Sequence, residues 1–192
     1  MTLKITKSDL DKNNFYKEDG IDTNDDIEIA AGLGYVKFKL SVVTTKSITA
    51  FAGSGITAGW GINAGSDINA GSGIIAGSDI IAGSGITAGS GITAGWGITA
   101  GSDINAGSGI TAGSDIIAGS GITAGWGINA GSDINAGSGI IAGSGIITLF
   151  GNIKAKFVSC LRIAAGVNST ETYTIEAKIR NGDVLLGKLN KK

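Results

Sequence analysis

The residues best suited to chemistry lie near the N-terminus, where the stretch 18–26 reads EDGIDTNDD. Its carboxylate and amide oxygens are the ligands that Ca²⁺ prefers, and they belong to Asp19, Asp22, Asn24, Asp25 and Asp26. An EF-hand loop would have Gly at the place of Ile27, however, and a closing Glu, which is absent. We therefore expect a solvated acidic loop rather than a metal site.

Other catalytic and metal-binding combinations are missing from the sequence. There is no His, and the single Cys160 lies in the apolar stretch FVSCLRI without a partner base, so we expect a buried structural thiol. Zinc and redox metals lack their usual His and paired Cys ligands. The glycines of GSGITAG lack the following helix and the Lys of a phosphate loop. The sequence therefore predicts no catalytic residue, no metal site, no cofactor and no small-molecule ligand.

Charge and hydropathy narrow the class of partner. With 15 basic and 16 acidic residues, the chain has no overall field that would draw it to nucleic acid or to an anionic membrane. The first twenty residues lack the apolar core of a secretory signal, and polar residues interrupt every window long enough to span a bilayer. We expect a cytoplasmic protein, in which the sequon at Asn168 has no role.

A six-residue repeat, Ile-x-Ala-Gly-x-Gly/Asp, dominates residues 52–147. A period of six does not match the 3.6-residue helix, and two Gly in many hexads would cost a helix roughly 1 kcal/mol each. In an extended chain, Ile and Ala at i and i+2 point to one side, and the residue between them points to the other. Gly, Ser and Asp then form a corner, where Gly tolerates positive φ and keeps the corner narrow, and Asp or Ser can bond to nearby backbone.

Such short strands bury their Ile only if successive coils stack, so the repeat predicts an all-β fold, a parallel β-solenoid. The expected core ladder consists of one Ile from each of the sixteen hexads: Ile56, Ile62, Ile68, Ile74, Ile80, Ile86, Ile92, Ile98, Ile104, Ile110, Ile116, Ile122, Ile128, Ile134, Ile140 and Ile146. The pattern leaves the handedness of the winding open.

The Asp residues favour three hexads per turn, hence a triangular cross-section. Two hexads per turn would stack Asp67 on Asp79 and Asp103 on Asp115, and like charges about 4.8 Å apart repel. Three per turn stack only Asp115 on Asp133. The block then forms a little over five turns.

The same spacing identifies candidate contact residues. Trp replaces Ser beside three corners, where each ring is expected either to fold over corner backbone or to anchor another subunit: Trp60, Trp96 and Trp126. Apolar residues also replace Thr or Asn at five outward positions: Ile75, Ile81, Ile117, Ile141 and Ile147. Trp126 is predicted to lie apart from the other two Trp, so no aromatic ladder forms.

The flanks of the repeat are expected to be β-rich caps that blunt the ends of the solenoid. The predicted division is an N-terminal cap over 1–51, the solenoid over 52–147 and a C-terminal cap over 148–192. In the N-terminal cap, Val36, Phe38, Leu40 and Val42 alternate with polar residues and predict one buried face. In the C-terminal cap, Asn181-Gly182 predicts a two-residue hairpin.

The array resembles the hexapeptide-repeat parallel β-helix proteins over half of the chain. Repeats such as GITAGWGINAGSDI followed by KFVSCLRIAAGV look most like bacterial repeat proteins of unknown function. The resemblance implies a parallel β-helix. The acyltransferases of that class use a His base, and this chain has none, so the resemblance does not carry acyl transfer.

Two functions remain open at this point. The first is a non-catalytic structural protein, a rigid rod or spacer that contacts copies of itself as a homo-oligomer or fibre. The alternative is recognition of an ice surface by a regular Thr/Asn array, because eleven of the sixteen outward positions are Thr or Asn. Three-per-turn winding mixes these residues on one side, however, which reads Thr57, Ile75, Thr93, Thr111, Asn129 and Ile147.

Overall fold

Parallel strands wind around a single axis throughout residues 1–167 and 173–190, which the computed structural model describes. The N-terminal flank contains β1 Thr2–Ile5, a 3-10 helix Lys7–Asp9, β2 Ile21–Thr23, β3 Asp26–Ile29, β4 Gly34–Phe38, β5 Val42–Thr44 and β6 Ile48–Ala50. The sequon at Asn168 lies outside the described residues.

The repeat block contains sixteen short strands: β7 Ser54–Ala58, β8 Ile62–Ala64, β9 Ile68–Ala70, β10 Ile74–Ala76, β11 Ile80–Ala82, β12 Ile86–Ala88, β13 Ile92–Ala94, β14 Ile98–Ala100, β15 Ile104–Ala106, β16 Ile110–Ala112, β17 Ile116–Ala118, β18 Ile122–Ala124, β19 Ile128–Ala130, β20 Ile134–Ala136, β21 Gly139–Ala142 and β22 Gly145–Thr148. The C-terminal flank contains β23 Ile153–Ala164, β24 Thr174–Leu186 and β25 Lys188–Asn190.

The strand register confirms the predicted parallel β-solenoid with three hexads per turn. Ile56 pairs with Ile74, and Ile74 pairs with Ile92, so each turn of the block takes 18 residues. The described residues make about 9 turns, and at about 4.8 Å per turn these form a rod roughly 43 Å long. The parallel pairing crosses both ends of the block, because β4 pairs with β7 and β20 pairs with β23.

The three sides of the rod are defined by which strands stack. The first side carries β7, β10, β13, β16, β19 and β22; the second carries β8, β11, β14, β17 and β20; the third carries β9, β12, β15, β18 and β21. We call the corner between the first and second sides the first corner. The second corner joins the second and third sides, and the third corner joins the third side to the first.

The interior of the rod is a ladder of isoleucines. All sixteen repeat Ile side chains are fully buried, and the Ala two positions after each of the first fifteen is 2–8% exposed. Burying an Ile side chain stabilises the fold by about 1.5–3 kcal/mol, and each backbone amide of the ladder bonds to the next coil, as in Ile92 N–H to Gly109 O at 3.0 Å. The side chain between Ile and Ala points outward.

The glycine that follows each Ala is required by close packing of coils, not by backbone conformation. Among the described residues of the block, only Gly53 has positive φ, so the corners do not depend on the tolerance of glycine for left-handed backbone. A Cβ at Gly95 would lie 2.1 Å from the carbonyl oxygen of Gly77, and its equivalents in the neighbouring coils meet the same obstacle. The corner stacks backbone directly on backbone.

Two details of the flanks differ from the sequence prediction. Leu40 is 49% exposed while Val36, Phe38 and Val42 are buried, because β4 ends at Phe38 and the chain turns a corner before Val42. The hairpin at Asn181 is also wrong: β24 continues through that residue and pairs in parallel with β23, Asn181 opposite Ser159. The register shifts on both sides of this pair, and the chain continues in parallel instead of reversing.

Candidate contact ridges

Three acidic side chains of the N-terminal cluster, Asp19, Asp25 and Asp26, contact cations or a backbone amide. Asp19 accepts a hydrogen bond from Lys39 at 2.6 Å, and Asp25 accepts one from the N-terminal ammonium at 2.9 Å. That ammonium lowers the pKa of the Asp25 carboxyl. Asp26 accepts from the Ser47 amide at 3.2 Å. Within residues 1–167 and 173–190, no three His, Cys, Asp or Glu side chains group as ligands for a metal ion.

Cys160 is buried, as expected for a structural thiol. Its side chain is 3% exposed, and its Sγ lies 3.2 Å from the carbonyl oxygen of Arg162. Burial raises the pKa of the thiol, which disfavours the reactive thiolate.

The five Asp residues of the block lie in the first and second corners, and each ties its corner to the coil that follows. In every case Oδ1 accepts a hydrogen bond from the backbone amide one turn later, at 2.6–2.9 Å: Asp67, Asp79, Asp103, Asp115 and Asp133. Asp115 and Asp133 stack as predicted, the amide of Asp133 donating to Asp115. These carboxylates are therefore corner caps.

Replacing one of these carboxylates gives a small, specific loss of stability. Asp79→Ala removes the acceptor for the Gly97 amide at 2.8 Å, and we expect the free energy of unfolding to fall by about 1 kcal/mol. Asp79→Asn keeps an oxygen at the same place and should stay within about 0.5 kcal/mol of the unmodified chain. Urea denaturation followed by far-UV circular dichroism measures both, and equal losses would contradict the capping role.

The three Trp side chains project into solvent from two corners. Trp60, Trp96 and Trp126 are 64%, 67% and 71% exposed, so they do not fold over the corner backbone. Trp60 and Trp96 lie in the first corner, two coils apart. Ser78 is between them, its amide donating to Trp60 O and its carbonyl accepting from the Trp96 amide, both at 3.2 Å. Trp126 lies in the third corner, as predicted for a position apart from the others.

The third corner carries the opposite order of residues. Trp126 stands between Ser108 and Ser144, bonded through backbone to each at 3.1 and 2.8 Å. The column of the first corner therefore reads Trp-Ser-Trp, and that of the third corner reads Ser-Trp-Ser. Leu161 follows Ser144 in the next coil, its amide donating to Ser144 O.

The outward isoleucines gather beside these Trp residues. Ile75 and Ile81 lie on either side of Ser78 in one coil, and Ile141 and Ile147 lie on either side of Ser144 in another. All four are 38–44% exposed. We call the first set the first ridge (Trp60, Ile75, Ile81 and Trp96) and the second set the second ridge (Trp126, Ile141, Ile147 and Leu161). Ile117 lies on the second side, one coil beyond Trp96.

Apolar grooves extend both ridges toward the ends of the rod. Ile21, Leu40, Val43 and Trp60 line a groove at the N-terminal end of the first ridge. A second groove, which runs between Ile147 and Leu161, includes Leu185 of β24. The second corner, by contrast, carries only Ser through the block, at Ser66, Ser84, Ser102, Ser120 and Ser138.

Sequence reasoning named the exposed residues but did not group them. The sequence does contain a signal for this grouping. Outward Ile residues occur in two consecutive hexads, with a corner Ser between them, at IIAGSDII (74–81) and at IIAGSGII (140–147). Trp60 and Trp96 lie 18 residues either side of Ser78, and Trp126 lies 18 residues before Ser144. Once one turn is known to be 18 residues, this spacing places each pair beside a Trp.

Comparison of the chain with protein-family models, with curated proteins and with solved structures gave no match. Within the described part of the chain, no helix has both the length and the apolar character needed to cross a bilayer.

Proposed function

We propose that this chain is a non-catalytic structural protein, a rigid β-solenoid rod that associates with copies of itself through its exposed apolar residues. The observation that carries the proposal is the exposure of three Trp side chains, 64–71% each. Other hexads place Ser at the same position, so the fold does not need Trp there. Exposed aromatic residues on a rigid surface are typical anchors of protein contacts.

The isoleucines support the same function. Five outward positions hold Ile where eleven equivalent positions hold Thr or Asn, and β-propensity alone does not distinguish Ile from Thr strongly. Four of the five Ile lie in the two ridges, so apolar surface is concentrated where the Trp residues are. In this proposal the partner is another copy of the chain, and neither catalysis, a cofactor nor nucleic acid takes part.

Mass photometry and negative-stain electron microscopy of the purified chain at rising concentration test the proposal. We expect oligomers or fibres built from straight rods. A population of isolated rods at every concentration would contradict it.

A second function, ice recognition, is supported by the third side. Together with Thr49 of β6, which pairs with β9, its outward column alternates Thr and Asn over five coils at a regular spacing of about 4.8 Å: Thr49, Asn69, Thr87, Asn105 and Thr123. Columns of Ser run along both adjoining corners: Ser84 and Ser102 lie in the second corner, and Ser90 and Ser108 lie in the third.

A thermal-hysteresis assay tests this alternative directly. If the third side binds ice, the unmodified chain depresses the freezing point below the melting point, and Thr87→Lys abolishes the gap. Thr93→Lys, on the first side, is the matched control and should leave the gap unchanged. The absence of a freezing gap in the unmodified chain would remove ice binding from consideration.

A further inference from the structure

Building on the proposed self-association, we infer that the first ridge of one copy docks on the second ridge of another. Trp126 of the second copy then enters the Ser78 site of the first, between Ile75 and Ile81, and Trp60 or Trp96 of the first copy enters the Ser144 site of the second, between Ile141 and Ile147. The contact is heterologous, because it joins two different surfaces, the first ridge and the second ridge.

The shapes of the two ridges are complementary at the scale of one coil. Trp60 and Trp96 stand two coils apart with Ser78 between them, which leaves a gap of about 9.6 Å at about 4.8 Å per coil. A third ring placed in that gap lies about 4.8 Å from each neighbour, within the range in which aromatic rings pack favourably. Trp126 of a second copy, with only Ser above and below it, provides such a ring.

When Trp126 lies opposite Ser78, the outward isoleucines of each ridge also come beside a Trp of the other ridge. Trp126 opposite Ser78 lies between Ile75 and Ile81, which flank that Ser. Ser144 is one coil from Trp126, so it comes opposite Trp60 or Trp96 according to the relative direction of the two rods. That Trp then lies between Ile141 and Ile147. A single contact thus covers all three Trp residues and four outward Ile.

Charge favours this pairing over contact between two first ridges. The first corner carries Asp79, Asp115 and Asp133, so two first ridges in contact would bring two acidic columns to one interface. The third corner has Gly at each equivalent position of the block, including Gly91, Gly109 and Gly127. The block contains no Lys or Arg to compensate the carboxylates, and like charges facing each other in an interface oppose association.

The amount of exposed apolar surface that is covered favours this pairing over contact between two second ridges. A symmetric contact of that kind would place each Trp126 on the partner's Ser144, but it would leave Trp60 and Trp96 exposed. The heterologous contact covers roughly 450 Å² on three Trp residues, at about 150 Å² each. A specific interface buries about 1,000 Å² or more, so the flanking Ile and the adjoining grooves are needed to complete it, and we expect a reversible association.

A heterologous contact leaves one free ridge at each end of every complex, so copies add until a ring closes or a fibre grows. Two variants separate this from symmetric dimers. The first-ridge variant carries Trp60→Ser, Trp96→Ser, Ile75→Thr and Ile81→Thr, and the second-ridge variant carries Trp126→Ser, Ile141→Thr and Ile147→Thr. Each replacement is a residue that other hexads carry at the same position, so the solenoid should be retained, and circular dichroism checks that it is.

Sedimentation velocity of each variant and of their equimolar mixture is the test. We expect each variant alone to be a monomer, the mixture to form a 1:1 dimer and nothing larger, and the unmodified chain to exceed the dimer. A variant that still dimerises alone would overturn the inference in favour of a symmetric contact, and so would a mixture that stays monomeric while the unmodified chain assembles. In both cases the proposed self-association itself survives. An unmodified chain that stays monomeric overturns both.

A control that moves the Trp to another corner distinguishes specific docking from nonspecific association through any exposed Trp. Adding Ser120→Trp to the second-ridge variant restores an exposed Trp at the second corner, outside both ridges. We expect this protein to assemble no further than the second-ridge variant does. Assembly equal to that of the unmodified chain would overturn the inference. Acrylamide quenching of the unmodified chain needs no variant: all three Trp residues should become shielded on assembly, and a Trp population that stays fully accessible would contradict the contact.

Discussion

Gly95→Ala is expected to lower the free energy of unfolding by about 3 kcal/mol or more. The added Cβ would lie 2.1 Å from the carbonyl oxygen of Gly77 and 2.9 Å from its carbonyl carbon. Both atoms are backbone, and they belong to a ladder in which the Gly95 amide bonds to Ala76 O at 3.0 Å. The coil can make room only by moving away from its neighbour, which breaks such bonds. Urea denaturation followed by far-UV circular dichroism measures the loss.

Gly97→Ala, two residues away in the same corner, is the matched control. Its Cβ would lie 3.3 Å from Asp79 Oδ1 and 3.6 Å from Asp115 O, and Asp itself stands at this position in other hexads. We expect a change of less than about 1 kcal/mol. Both substitutions restrict the unfolded chain equally, so the difference between them reports the steric contact. Equal losses would contradict the account of why the repeat keeps Gly after Ala.

Ile116→Ala is expected to cost about 3–4 kcal/mol, because the side chain is fully buried in the ladder and its loss leaves a cavity. It stacks between Ile98 and Ile134, so the cavity opens in the middle of the rod. Ile117→Ala removes the same atoms from the next residue, which is 39% exposed, and should cost about 1 kcal/mol or less.

Thermal and urea unfolding of the two Ile variants, at a concentration where the chain is monomeric, measures the difference. A loss for Ile117→Ala as large as that for Ile116→Ala would mean that the two sides of the strand are not distinguished as buried and outward.

The fold was predictable because the repeat gives three consistent signals. Ile at every sixth position excludes an amphipathic helix, the residue between Ile and Ala varies as an outward position does, and the Asp residues distinguish three hexads per turn from two. The register from Ile56 to Ile74 agrees with all of them. In the flanks such repetition is missing, and there the predictions were less accurate.

The errors have identifiable physical causes. Asn181-Gly182 favours a hairpin in an isolated strand pair, but here β24 pairs in parallel with β23 on both sides of Asn181, from Ile175 to Leu186. Leu40 continues an alternating pattern that the corner after Phe38 interrupts. The glycines keep the corners narrow, but the carbonyl oxygen for which they leave room belongs to the neighbouring coil and is not visible in sequence periodicity. Each ridge consists of residues that lie one turn apart, so the ridges could be identified only once the strand register was known.

Self-association through the exposed Trp residues is decided by sedimentation velocity of the unmodified chain beside a variant with Trp60→Ser, Trp96→Ser and Trp126→Ser. We expect the unmodified chain to shift to larger species as its concentration rises from micromolar to millimolar, while the variant, equally folded by circular dichroism, remains a monomer. An unmodified chain that stays monomeric throughout, or a variant that assembles to the same extent, would contradict a structural role based on these exposed side chains.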